Sequence, residues 1–438
     1  MSKFLICTIS VTGHVSPALP IARKLVDRGH QVYWYTGREF QAKVASTGAH
    51  FIPAVDNSPE WLEQWMARRN ALQGVAQLKF DLKYGFIDAA VQQVKDLTET
   101  LRDFPVDAIL ADFCFLGAAW LHEQGGPPWA GFSVSALAFS SRDTAPFGLG
   151  MKPDNSAFGQ FRNRGLNWLT ERVIFKEVTA YMNQVRADLG LAPSQTSFFN
   201  VISPFLHLVG SVPEFEYPRR DLPDRVHFVG PLLGNNIATE FTPPDWWEEL
   251  KGDLPVVQVT QGTIATDPER LIVPTLRALA SENVLVVATI FNRSLDSMLP
   301  DEIPANARIA LFIPYLELLP HVDVMITNGG FNSVQMALAN GVPLIGAGKS
   351  EDKPEICARI DWLGAGIDLK TDTPTPEQIR VAVSKVLADR RYQDRAQDLQ
   401  RKISEYDAPS LAEQLATTQQ PVNARPPELV AHGSENCG

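Results

Sequence analysis

Two short stretches of this chain carry side chains able to do chemistry. The first is ISVTGHVSPALPIARKL, Ile9 to Leu25. It sets His14 in a loop between an apolar run, Lys3 to Thr8, and an amphipathic run, Pro17 to Asp27. An imidazole titrates near neutrality, so one exposed at the carboxyl end of a strand suits removal of a proton from a hydroxyl. Gly13 beside it offers an unusual backbone angle. Asp112 closes another apolar run, VDAILAD, and in a parallel sheet would reach the same edge. A carboxylate there can orient an imidazole and stabilise its cation. Plainer uses exist for both: His14 as a surface or capping group, Asp112 as a helix N-cap or turn.

The second stretch is VMITNGGFNSVQMALANGVPLIGAGKSEDKPEICARI, beginning at Val324. It reads strand, glycine pair, helix, strand, loop, helix. Gly329 and Gly330 let backbone approach a ligand closely. A helix opening near Phe331 would turn free N–H groups and a positive dipole end toward an anion such as phosphate. Asn332 and Ser333 add side-chain donors. An ordinary capped helix would look similar. Gly348-Lys349-Ser350 imitates the end of a P-loop, but the required first glycine falls at Pro343 and the loop runs on to Pro354. G-x-G-x-x-G is absent after the first strand, which weighs against a nicotinamide enzyme. G-x-S-x-G is absent too, so serine nucleophile chemistry is unsupported.

The elements that must hold these groups alternate. Strands are expected at Lys3 to Thr8, Gln31 to Tyr35, Val106 to Ala111 and Trp129 to Ser133, with amphipathic helix between. Such alternation implies an α/β protein with parallel sheets covered on both faces. A proline- and charge-rich junction near 212–254 precedes a second alternation. Its strands are expected at Pro255 to Thr260, Val284 to Ile290, Arg308 to Ile313, Val322 to Thr327 and Pro343 to Gly346. The expected division is 1–220, 221–405 and a terminal segment 406–438, disordered after about residue 417. Two aromatic-rich helical stretches, 58–100 and 155–190, read as insertions on the first sheet. Trp61, Trp65, Phe80 and Phe86 there either pack helices or line an apolar pocket.

Composition narrows the function. Net charge is −11, from 39 basic and 50 acidic residues, which weighs against a nucleic-acid binder. No run approaches the roughly 18 apolar residues of a spanning helix, and no signal peptide is visible. The four cysteines have no metal-like spacing, so a reduced, cytoplasmic protein is expected.

Together the segments resemble the family-one glycosyltransferases of the GT-B fold, in particular the bacterial macrolide- and natural-product-modifying branch. The carriers are GHVSPALPIARKL, FVGPLL (Phe228 to Leu233), VTQGT (Val259 to Thr263), the block Ala307 to Leu344, and EDKPEICARIDWLGAGIDL from Glu351. The resemblance implies two Rossmann-like domains facing a cleft, and inverting transfer of a sugar, a hexose by expectation, from a UDP-sugar to a hydroxyl of a small lipophilic acceptor. It implies His14 as general base and Asp112 as its partner. It implies donor contacts from Thr263, Phe312, Asn328, Gly329, Gly330, Asn332 and Ser333, and sugar contacts from Asp352 and Lys353. Trp61, Trp65, Phe80, Phe86 and Phe113 are the acceptor-side candidates. No cofactor beyond the UDP-sugar co-substrate is implied, and the absence of a DxD carboxylate pair at the strand ends means that no catalytic metal is required.

The sequence departs from the family at chosen places. Asn328 stands where histidine is usual, Phe312 and Tyr315 where tryptophan and glutamine are usual, Lys353 where glutamine is usual, and Ile356 in place of an asparagine. Lys353 either restores charge for a diphosphate or an acidic sugar, or pairs with Glu351 or Glu355 as a surface lysine. Two other functions fit the same architecture: a binding protein with a lapsed site, and a nucleotide-sugar epimerase.

Overall fold

The computed structural model describes residues 1–55, 59–234, 241–262, 267–290 and 303–418. Runs such as FLIC and AILAD have no polar face, and they form strands buried on both sides. The first half runs β1 (Lys3–Cys7), α1 (Thr12–Asp27), β2 (Gln31–Thr36), α2 (Gln41–Ser46), β3 (His50–Pro53), α3 (Pro59–Asn70), α4 (Gly74–Phe80), α5 (Asp88–Asp103) and β4 (Ala108–Asp112). It continues with α6 (Leu116–Glu123), β5 (Trp129–Ser133), α7 (Ala157–Leu169), α8 (Lys176–Asp188), β6 (Leu206–Val209) and β7 (Val226–Phe228). The seven strands are parallel in the order β3-β2-β1-β4-β5-β6-β7. The order reverses between β1 and β4, and crevices for ligands open at such a point, beyond the strands' carboxyl ends.

The second half runs β8 (Val256–Thr260), α9 (Ile272–Leu279), β9 (Leu285–Thr289), β10 (Ala307–Ala310), α10 (Tyr315–Leu318), β11 (Val324–Thr327), α11 (Phe331–Ala339), β12 (Leu344–Gly346), α12 (Lys353–Leu363) and β13 (Gly366–Asp368). Then come α13 (Pro376–Ala388), α14 (Arg390–Ser404) and α15 (Ala408–Thr418). These strands are also parallel, in the order β10-β9-β8-β11-β12-β13, with the reversal between β8 and β11. The GT-B architecture expected from the resemblance is therefore the one observed.

Three expectations move. β7 belongs to the first sheet although it lies past residue 220. The terminal segment begins with a helix that was not expected: α15 returns to the first domain and packs on α1, and Ala408, Ala412 and Ala416 join the core under β1 and β4. Alanines four apart place small side chains on one face, which lets the helix approach closely. Residues from 419 onward, with the tail expected after about 417, lie outside the described residues. The strands β3, β6, β7 and β13, three or four residues each, are too short to stand out from loop.

The expected insertions are helical. Both hold a turn of π-helix, Asp81–Ile87 between α4 and α5, and Thr170–Ile174 after α7. Such turns favour functional sites. The two domains share a packed seam, where Ala136, Val212 and Phe215 join the second domain's core. Arg359 of α12 sits there fully buried between Glu216 (2.9 Å) and Glu355 (2.9 Å).

Candidate active site

The first-sheet site is built by β1, α1 and β4. Helix α1 opens at Thr12, five residues earlier than the periodicity predicts, so His14 lies in its first turn and not in a loop. The proline at 17 misled the boundary, since proline is commoner at the start of a helix than inside it. Gly13 has no positive φ, so the expected backbone freedom is not what it supplies. Asp112 ends β4 and is wholly buried. Its Oδ2 accepts the Ile9 N–H (2.8 Å) and its Oδ1 the Cys114 N–H (2.9 Å), which fixes the carboxylate. His14 Nδ1 stands 3.2 Å from Oδ1. The approach is not aligned as a hydrogen bond, and Nδ1 has no other partner. Catalytic contacts are often this loose before substrate binds. The imidazole lies nearly parallel to Phe113, with centroids 6.4 Å apart.

His14, Asp112 and Cys114 place one ligand-type atom each within 4.8 Å of the others. This cluster suits a base better than a metal. Backbone N–H groups already occupy both Asp112 oxygens, and burial, with the Asp112 charge, pushes the Cys114 thiol well above its usual range.

The second-sheet site is the turn from β11 into α11. Gly329 has φ +84°, and a Cβ there would lie 2.6 Å from Cys357 Sγ, so only glycine fits. Gly330 is the N-cap of α11 and no side chain caps the helix, which leaves its first N–H groups available. Ser333 Oγ accepts from the half-buried Tyr315 hydroxyl (3.3 Å). Asn332 Nδ2 reaches across to the first domain and donates to the Gly13 carbonyl (3.1 Å). Asn328, expected to face the donor, gives one amide N–H to the Gln261 carbonyl (2.5 Å). Phe312 is exposed at the rim, free to stack on a base. Thr263 lies outside the described residues.

Asp352 and Lys353 open α12. Asp352 Oδ2 accepts the Ser135 hydroxyl, 2.5 Å away and just past β5. Burial raises its pKa against the opposing pull of Lys353. Lys353 is mostly buried and pairs with Glu351, whose own backbone is left-handed (φ +57°). That pairing is one of the two alternatives for Lys353, although the side chain is not a surface one. Glu351 also faces Arg69 of α3 (3.9 Å). The P-loop imitation is absent from the fold: Lys349 lies in a loop, and α12 starts only at Lys353.

The acceptor-side candidates divide. Trp61 stacks on Trp65, which meets Phe80, and that ring touches Tyr84. Phe80 is buried, so it supports this row and does not line a pocket. Phe86 faces elsewhere, onto Phe198. Of these five, Phe113 alone stacks beside His14. The sequence did not single out Ser135, Gln261 or Arg69. Of these, Ser135 alone carried a signal: it lies two residues beyond the apolar run WAGFS, at the same sheet edge as Asp112.

A family model described as the erythromycin biosynthesis protein CIII-like C-terminal domain matches residues 274–416. A 4'-demethylrebeccamycin synthase of Lentzea aerocolonigenes is 43% identical over 412 residues, covering 93% of this chain and 97% of that protein. A UDP-glycosyltransferase 2 of Phaeomoniella chlamydospora is 33% identical over 424 residues, covering 92% of each. The chain belongs to the natural-product glycosyltransferases. The solved structure of a kitacinnamycin glycosyltransferase has the same fold as this glycosyltransferase, with a TM-score of 0.74 over 96% of this chain and 99% of that one, at 22% identity. No helix among the described residues is long and apolar enough to cross a membrane.

Proposed function

We propose that this glycosyltransferase moves a hexose from a UDP-sugar to a hydroxyl of a small lipophilic acceptor, with inversion at the anomeric carbon, in the cytoplasm. One observation carries the reading: the Gly13–Asn332 hydrogen bond holds the His14 helix and the uncapped start of α11 at one cleft.

The steps follow from that placement. With Nδ1 toward Asp112, His14 presents Nε2 to the acceptor hydroxyl. Nε2 takes the proton as the hydroxyl oxygen forms its bond to the anomeric carbon, and the buried Asp112 carboxylate stabilises the imidazolium. The bond from that carbon to the diphosphate oxygen breaks on the opposite face. The free N–H groups and dipole of α11 meet the charge on the leaving phosphate, so the reading needs no metal. Phe312 stacks on the base, while Asp352 reads sugar hydroxyls through the oxygen that Ser135 leaves free. Trp61 and Trp65 flank the acceptor.

The occupied amide of Asn328 and the paired Lys353 favour a second reading, a binding protein without transfer. Mass spectrometry of the protein with UDP-glucose, UDP-glucuronate and a panel of lipophilic alcohols and phenols separates the two, with a chelator in one arm. A hexose adduct that survives the chelator is expected. Tight nucleotide binding with no adduct from any donor would overturn the transferase reading.

A further inference from the structure

Pro17 sits inside α1, not at its start. A proline has no N–H to give the carbonyl four residues earlier, and its ring pushes that carbonyl off the helix axis. Four residues before Pro17 is Gly13. Its carbonyl is the one that accepts Asn332 Nδ2 across the cleft, at 3.1 Å. The residue after Gly13 is His14, paired with Asp112. The residue carrying the donor amide is the second of α11, whose cap position is glycine and which has no side-chain cap.

We propose that Pro17 is a positioning residue: it releases the Gly13 carbonyl from α1 so that α11 docks on it, setting the register between the base and the donor-binding helix end. The inference rests on the transferase reading for its effect on rate, but the contact itself is independent of activity. A backbone carbonyl left without its helical partner must find another when covered. Here the other domain supplies it.

The consequence is unusual in sign. Pro17→Ala restores an N–H and a good helix former to α1, so the helix gains stability. It also draws the carbonyl back onto the axis, which weakens its bond to Asn332. A residue serving only the fold would not lose function as its helix improved. Pro17 is buried, so the variant also gives up the packing of its ring; that loss is the same with and without Asn332 and cancels in the cycle below.

The test is a double-mutant cycle of Pro17→Ala and Asn332→Ala, read by thermal melting, by UDP affinity and by transfer kcat. Pro17→Ala is expected to slow transfer about 3- to 10-fold, the range for one hydrogen bond, with UDP affinity unchanged. In the Asn332→Ala background it should have no further effect on kcat. Its effect on the melting temperature should also be more favourable in that background than in the wild type, where the interdomain bond is weakened as well. Equal effects of Pro17→Ala in both backgrounds, on rate and on melting, would overturn the proposal. A wild type that transfers no sugar would instead remove the transferase reading and leave the melting cycle to decide the contact.

Discussion

The hydroxyl of Ser135 donates to Asp352 across the two domains, from the end of β5 to the start of α12. Asp352 is the carboxylate assigned to sugar hydroxyls, and its burial already favours the neutral form. Removing the donor should favour it further. Ser135→Ala is expected to raise the KM for the sugar donor about tenfold, the value of one hydrogen bond to a charged group, while Ser135→Thr stays near wild type. Donor-saturation kinetics of the three proteins check this.

Glu351 pairs with Lys353, and its own backbone is left-handed. Such strain persists where surrounding structure over-determines it, often at ligand clamps. Glu351→Gln leaves Lys353 as an uncompensated cation at the donor site. Use of UDP-glucuronate relative to UDP-glucose should then rise, and Lys353→Gln should leave that ratio near the wild-type value. Competition between the two donors, read by product mass, gives the ratio directly.

Gly329 is constrained twice, by its φ of +84° and by Cys357 Sγ 2.6 Å from where a Cβ would sit. Gly329→Ala should destabilise the turn by about 1–3 kcal/mol and abolish tight UDP binding. Adding Cys357→Ala removes the clash but not the strain, so binding should recover only in part. Calorimetry with UDP and thermal melts of the single and double variants test this.

His207 of β6 is buried, with Nε2 2.8 Å from the Ser133 hydroxyl. Burial, helped by the nearby Arg225 charge, lowers its pKa from 6.5 to about 4. The folded state thus binds fewer protons than the unfolded state between these values, so stability rises with pH across that window. This contribution is complete above about pH 6.5 and is lost as pH falls toward 4, with an upper size of about 3 kcal/mol. Denaturant midpoints should fall on acidification over this range, and His207→Gln should flatten that slope.

Much of the fold was legible because its strands are apolar runs bounded by turn residues. FLIC, AILAD and VMIT could hardly be anything but buried strands. The glycine pair at 329–330 and the carboxylate at 112 were legible for a related reason, since both sit where such runs end. The rest depended on tertiary contact. Nothing local says that Asn328 gives its amide to Gln261, or that Asn332 crosses to Gly13. Helix α15 was invisible for the same reason: its alanines are a core face only because α1 lies opposite. The aromatic row misled in part, because packing and lining residues such as Phe80 and Trp61 have the same composition and differ only in burial.

The central claim is that His14, oriented by Asp112, removes the acceptor proton. The measurement that tests it most directly is single-turnover transfer by wild type, His14→Ala and Asp112→Asn at saturating donor, with UDP affinity taken in parallel. The account predicts a rate loss of about 10²- to 10⁴-fold for His14→Ala, a smaller loss for Asp112→Asn, and unchanged UDP affinity in both. Transfer by His14→Ala at the wild-type rate would contradict it.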